Sequence, residues 1–198
     1  TMPPSAHVDT FAAEHLPPAD QQPEFHFDLP GLQFPERLNC ATELLDRHVA
    51  AGRGERMCLR APGVRWTYAD LQERVNRIAN VLVHEMGVVP GNRVLLRAPN
   101  NPMLVACWFA VMKAGAIAVT TMPLLRAKEL NAIVDIGQVT HALCDAALTE
   151  ELHLTAAACP QLAHIRCFGA GGEDCLETAM ARQSPLFGTV DTAATDTC

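Results

Sequence analysis

The chain has 198 residues, 49% of them hydrophobic and 19% charged, enough for one sizeable core and ordinary for a soluble globular domain. A net charge of -7 without any basic run excludes a general binder of nucleic acid or of anionic membranes, which needs clustered Lys and Arg. No basic-then-apolar leader opens the sequence, and the longest apolar run, Met103 to Met112, is too short to span a bilayer, so a cytoplasmic protein is expected.

Residues 1–35 form an extended, Pro-rich arm, because Pro17, Pro18, Pro23, Pro30 and Pro35 forbid regular helix over most of it. Its Phe11, Leu16, Phe25, Phe27, Leu29, Leu32 and Phe34 are expected to lie buried against a domain surface. From residue 36 to 184 the pattern is that of one α/β unit. "NCATELLDRHVAAG" reads as a helix with Asn39 as its cap and Gly52 as its stop. A hairpin around Pro62-Gly63 follows. Thr67 with Asp70 then makes a capping box for a helix whose Leu71, Val75, Ile78, Leu82 and Met86 share one face. Its polar side, Gln72, Glu73, Arg74 and Arg77, is expected to be solvated.

After Pro90-Gly91 four strand–helix units succeed one another. The strands are "NRVLLRAP", "AIAVTTMP", "THALCDA" and "AHIRCFGA"; the helices are "MLVACWFAVMKAG", "LRAKELNAIVDIG", "LTEELHLTAAAC" and "EDCLETAMARQ". Apolar strands without alternation predict an α/β fold with a mostly parallel sheet and helices on both faces. The helix after Asn101-Pro102 is apolar nearly all round and is expected to be buried between the sheet and a further layer. Residues 185–198 read as a linker.

Ligands of such sheets gather beyond the carboxyl ends of the strands. Those ends are Ala98 to Asn101, Thr120 to Pro123, Asp145 and Gly169 to Gly172. Thr120 and Thr121 offer hydroxyls and Arg126 a cation, although a core-facing threonine and a surface arginine are the readier account of them. The "GAGG" at 169–172 is a flexible turn, since Glu173 and Asp174 would repel phosphate. Glu150-Glu151 reads as a solvated helix start. The eight cysteines include no C-x-x-C pair, which points to reduced core thiols rather than a disulfide framework. No catalytic set and no metal ligands are found.

The order of elements carries a resemblance. Trp66-Thr67-Tyr68 with Leu71, then Gly91-Asn92-Arg93-Val94, Lys113-Ala114-Gly115 and Pro123 resemble the N-terminal segment of the AMP-forming acyl-CoA synthetases, in the adenylate-forming ligase superfamily. Upstream, "DTFAAEHLPPADQQPEFHFDLPGLQFPERLNCATELLDRH" is similar to the opening of the aryl-acid branch, the benzoate- and 2-aminobenzoate-CoA ligases. The resemblance spans roughly Asp9 to His164.

It implies an incomplete N-terminal subdomain of that fold and a parent ligase using ATP, Mg²⁺ and CoA. In that reaction an acid attacks the α-phosphate of ATP, and CoA then displaces AMP from the acyl-adenylate. It further implies that Thr121, Met122 and Leu124 neighbour the acyl pocket and that Arg126 lies on the CoA side, none of them catalytic. The family's Ser/Thr/Gly-rich phosphate loop would follow residue 198, with "DTAATDTC" as its lead-in. The Mg²⁺-binding acidic segment, the ribose-holding aspartate and the C-terminal catalytic lysine match nothing in this sequence. The chain alone is therefore expected to bind no cofactor and to be inactive. Its implied partners are the remainder of the ligase, an aromatic carboxylic acid in the parent, and a second copy through surface the remainder would cover. The other reading is a stand-alone metabolite-binding or oligomerisation module of the same fold.

Overall fold

The computed structural model describes residues 4–198. Two short strands, β1 (Met57–Ala61) and β2 (Val64–Thr67), form the expected hairpin. A lead helix over residues 40–53 precedes them, largely in π-helical turns. Asn39 caps it, its Oδ1 accepting from the Ala41 N–H at 3.0 Å, and Gly52 breaks its geometry at φ 74°. α2 (Tyr68–Asn80) begins at the Thr67/Asp70 capping box and continues through a π turn to Glu85.

The main sheet has four parallel strands: β3 (Arg93–Arg97), β4 (Ile117–Thr121), β5 (His141–Asp145) and β6 (His164–Phe168). Their order across the sheet is β4-β3-β5-β6. The connecting helices are α3 (Pro102–Lys113), α4 (Ala127–Gly137) and α5 (Thr149–Ala158), and α6 (Leu176–Ala181) follows β6. The arm holds α1 (Phe11–Glu14) and two short 3-10 turns, Ala19–Gln21 and Pro30–Leu32.

All five residues of β3 are buried, yet successive side chains enter different cores because a strand alternates its faces. Val94 and Leu96 join Leu143 of β5 in one core with α2, α3 and α6. Leu95 joins Ala142 and Cys144 in the other, with Leu130 and Val134 of α4 and Leu152 of α5. The helices thus cover both faces, and α3 packs between α2 and the sheet. Asn101 caps α3 through the Leu104 N–H at 2.9 Å, and Pro102 stands where a helix needs no N–H donor.

Several expectations fail. Beyond α1 the arm does not bury its apolar side chains: Phe25 is 71% and Phe34 56% exposed. Phe25, Phe27 and Phe34 contact one another instead. Nor is the polar side of α2 merely solvated. Gln72 donates to Asp46 at 2.7 Å, Arg74 lies over the Trp66 ring, and Arg77 donates to the Gln183 carbonyl. Long polar side chains there stitch α2 to neighbours distant in sequence.

Only the start of the arm is docked. Val8 N–H donates to Pro90 O at 2.9 Å, and the Asp9 carboxylate pairs with Arg93 at 2.6 Å. Burial alone would raise the Asp9 carboxyl. Hydrogen bonds from Phe11 N–H, Arg93 and Asn92 outweigh it and hold the group below its ordinary 3.8. This anchor is therefore complete above that value and weakens as acidification passes the lower folded value. Gly91 makes the docking sterically possible: at φ +90° it places an added Cβ 2.1 Å from Asp9 O. Gly91→Ala is expected to release the arm's start, removing hydrogen-exchange protection at Val8 and Asp9 at a cost of about 1–3 kcal/mol. Unchanged protection there would refute that account.

The segment after α6 is no loose linker. Asn76 and Asn80 donate to Pro185, Ser184 and Leu186 carbonyls, Val190 N–H reaches Lys113 O, and Arg37 and Ala193 form an antiparallel bridge.

Candidate functional site

A parallel sheet has a topological switch point where the crossovers that follow two adjacent strands run in opposite directions. Here it lies beside β3, whose crossover leads to β4 on one side, while β5 on its other side leads away to β6. The loops beyond its carboxyl end are the candidate site. They are held by Arg97, the last residue of β3, which is 2% exposed.

The Arg97 guanidinium donates from Nε to Leu148 O (3.1 Å), from Nη1 to Met122 O (3.2 Å), and from Nη2 to Pro123 O (3.1 Å) and Leu125 O (2.8 Å). A rigid planar fork with five donors suits such a ring of carbonyls. Arg97 thereby fixes the loop after β4 against the loop after β5. Sequence reasoning passed over it; the signal was a cation ending the apolar run "RVLLR", since a long charged side chain in a buried strand must find partners.

The switch-point crevice is bridged by side chains. Asn101 Nδ2 donates to Asp145 Oδ2 at 2.9 Å, while Asp145 Oδ1 accepts from Ala147 N–H at 2.9 Å. Both groups are satisfied from within the chain.

The four residues singled out from the sequence fall on one rim. Thr121 is half-buried and its hydroxyl donates to Leu96 O at 3.1 Å. Met122 is 63% and Leu124 85% exposed. Arg126 projects into solvent but pairs with Glu151 at 3.2 Å. Glu151 also accepts from Ala127 N–H at 2.7 Å, and Glu129 accepts from Arg126 N–H at 3.1 Å. Two carboxylates thus occupy the N-terminus of α4, where an anionic ligand would otherwise be favoured. Glu150 is exposed, as expected of a solvated helix start, whereas Glu151 is half-buried and engaged.

The glycine turn after β6 is likewise filled from within. Gly169, Gly171 and Gly172 have φ of 87°, 74° and 111°, and Gly169 N–H donates to Glu177 Oε1 at 2.8 Å. Among the described residues no group of three or more His, Cys, Asp or Glu is arranged to hold a metal. These loops alone do not fit a nucleotide phosphate or a metal ion. Chemically the edge offers an apolar rim, a neutralised cation and a rigid loop frame.

A polar cleft of about 480 Å³ opens elsewhere, lined by Asp46, Gln72, Asn76, Lys113 and residues 186–188. Lys113, 2% exposed, is paired with Asp46 at 2.7 Å.

Comparison with known proteins places this geometry. A sequence model described as AMP-binding enzyme matches residues 46–194. Benzoate–CoA ligase of Thauera aromatica is 27% identical over 169 residues, covering 85% of this chain and 32% of its own length. Salicyl-AMP ligase / salicyl-S-ArCP synthetase of Mycobacterium tuberculosis is 40% identical over 74 residues, 37% of this chain and 13% of that protein. Among solved structures, the anthranilate CoA ligase AuaEII in complex with anthranoyl-AMP superposes with a TM-score of 0.77. It is 22% identical and covers 82% of this chain and 32% of that one. ATP-bound MatB from Rhodopseudomonas palustris gives 0.70 at 25% identity, covering 80% and 30%. The chain thus spans about a third of the benzoate–CoA ligase it matches. With three quarters of its length inside the family match, the chain belongs to the AMP-binding enzyme family.

Proposed function

We propose that this chain is the N-terminal α/β portion of an ATP-dependent, AMP-forming ligase that joins an aromatic carboxylic acid, of the benzoate or 2-aminobenzoate type, to CoA. The observation that carries this reading is the similarity to benzoate–CoA ligase across 85% of the chain. The superposition on an anthranilate CoA ligase is consistent with it. In the parent, Mg²⁺ and ATP would be held by segments beyond residue 198. The rim of Thr121, Met122 and Leu124 would border the acyl side, with Arg126 toward CoA once Glu151 releases it. A cytoplasmic setting fits such substrates, and no helix among the described residues is long and apolar enough to cross a membrane.

Adenylation requires stabilisation of phosphate charge by preorganised donors, a metal or a lysine. The candidate loops commit their donors internally, so the 198-residue chain is inactive on this reading. Incubated with ATP, Mg²⁺, CoA and either benzoate or 2-aminobenzoate, it should release no pyrophosphate above buffer. The gene should continue past the codon for Cys198 into a Ser/Thr/Gly-rich loop containing lysine, and the longer product should turn over. Turnover by the short chain, or a stop codon after Cys198, would overturn the proposal.

A second reading rests on the bare aromatic side chains of the arm: a module that assembles with further protein through Phe25, Phe27 and Phe34. A concentration-dependent mass in solution, abolished by replacing those three with serine, would favour it.

A further inference from the structure

Two cysteines from opposite ends of the sequence are brought together at one small cavity. Residues 36–38 and 192–194 run antiparallel, with Leu38 N–H donating to Thr192 O and Ala194 N–H to Glu36 O, both at 2.9 Å. A turn then reverses the chain. Asp196 N–H donates to Ala193 O at 3.0 Å, while its carboxylate accepts from Ala193 N–H (2.9 Å) and Ala6 N–H (3.0 Å). The reversal carries Thr197 and Cys198 back over the start of the lead helix. There Cys198 and Cys40 line the same cavity of about 60 Å³, together with Leu38, Met112 and Gly115.

We propose that Cys40 and Cys198 are a dithiol modification site, oxidised by peroxides to a disulfide that fastens residues 192–198 to the lead helix. Cys198 is exposed and Cys40 half-buried, so a small oxidant reaches the pair. One thiolate attacks a peroxide oxygen, cleaving the O–O bond and expelling water or an alcohol, and becomes a sulfenic acid. The second thiol attacks that sulfur and expels a further water. Two S–H bonds are exchanged for one S–S bond, and the peroxide takes up the two electrons.

The remaining cysteines are poorer candidates. Cys107, Cys144, Cys159 and Cys175 are buried. Cys144 and Cys167 are register partners on β5 and β6, but burial pushes the Cys144 thiol up to about 12 and raises Cys167 as well. Burial and then the neighbouring Cys40 sulfur also raise the Cys198 thiol, so bond formation should quicken as pH rises, because the thiolate is the nucleophile.

The test treats the native 198-residue chain with a small excess of hydrogen peroxide, blocks residual thiols with N-ethylmaleimide, and maps peptides without reduction. The expected dominant product is one peptide pair joining Cys40 to Cys198, two hydrogens lighter than the thiols and reversed by dithiothreitol. Hydrogen exchange at residues 190–194 should slow roughly tenfold in the oxidised chain. Cys198→Ser, at an exposed position, should fold normally and lose both effects; Cys40→Ser should do the same. Recovery of the two cysteines unlinked, as sulfinic acids or as intermolecular Cys198 dimers, would overturn the proposal. So would a Cys144–Cys167 link as the main product.

Discussion

Asp46→Ala is expected to destabilise the chain by about 3–5 kcal/mol, the usual cost of leaving a buried charge without its partner. Lys113 is 2% exposed and its ammonium lies 2.7 Å from Asp46 Oδ1. Asp46 is the shared hub, also accepting from Gln72 at 2.7 Å and from Thr189 at 3.4 Å. Removing the carboxylate leaves a buried cation without its ion partner at the end of α3, while Lys113→Met leaves a carboxylate that retains Gln72 and partial access to water. Lys113→Met should therefore cost only about 1–2 kcal/mol. The double variant Asp46→Ala/Lys113→Met should recover most of the loss, since a buried ion pair replaced by apolar groups is often nearly neutral. Urea unfolding of the three variants decides it. Equal losses in both single variants, adding in the double, would show that the pair is not coupled.

Arg97→Met should cost about 3 kcal/mol, less than four lost buried acceptors imply, because water can reach the loop once it loosens. The loss should be local as well as global. With Leu148, Met122, Pro123 and Leu125 carbonyls released, the segment 122–126 loses its tie to the sheet. Limited trypsin digestion should then cut after Arg126 well before the rest of the chain. Arg97→Lys keeps the charge but not the planar fork, so it should restore stability only in part. A loss below about 1 kcal/mol with no change in the cleavage pattern would remove Arg97 from its place as organiser of the site.

The strand–helix alternation was legible because each strand is a short apolar run, three of the four closed by Gly or Pro. Caps such as Thr67 and Asn101 advertise themselves through local hydrogen bonding. The strand order was not, since any of several crossovers is compatible with four similar apolar strands, and only tertiary packing selects β4-β3-β5-β6. The arm was misjudged for a related reason. Its phenylalanines look like core residues in sequence, yet Pro-rich backbone holds them away from the domain. The site was only half visible: Thr121, Met122, Leu124 and Arg126 do share one rim. The partners that commit it, Arg97, Asp145 and Glu151, come from other strands and helices and share no spacing pattern with them.

The tie between residue 190 and the lead helix bears on how the protein is made. Asn39 Nδ2 donates to Met112 O at 2.9 Å and to Val190 O at 3.1 Å, joining three segments that leave the ribosome far apart in time. Gly115 accommodates the same late segment, since Val190 lies 2.8 Å from where its Cβ would stand. Until residues 184–190 emerge, Asn39, Asn76 and Asn80 lack acceptors they use in the finished fold. A nascent chain can assemble β3 to β6 and still present an unfinished α2 face to chaperones, so completion of this unit is timed by translation of residues 184–190.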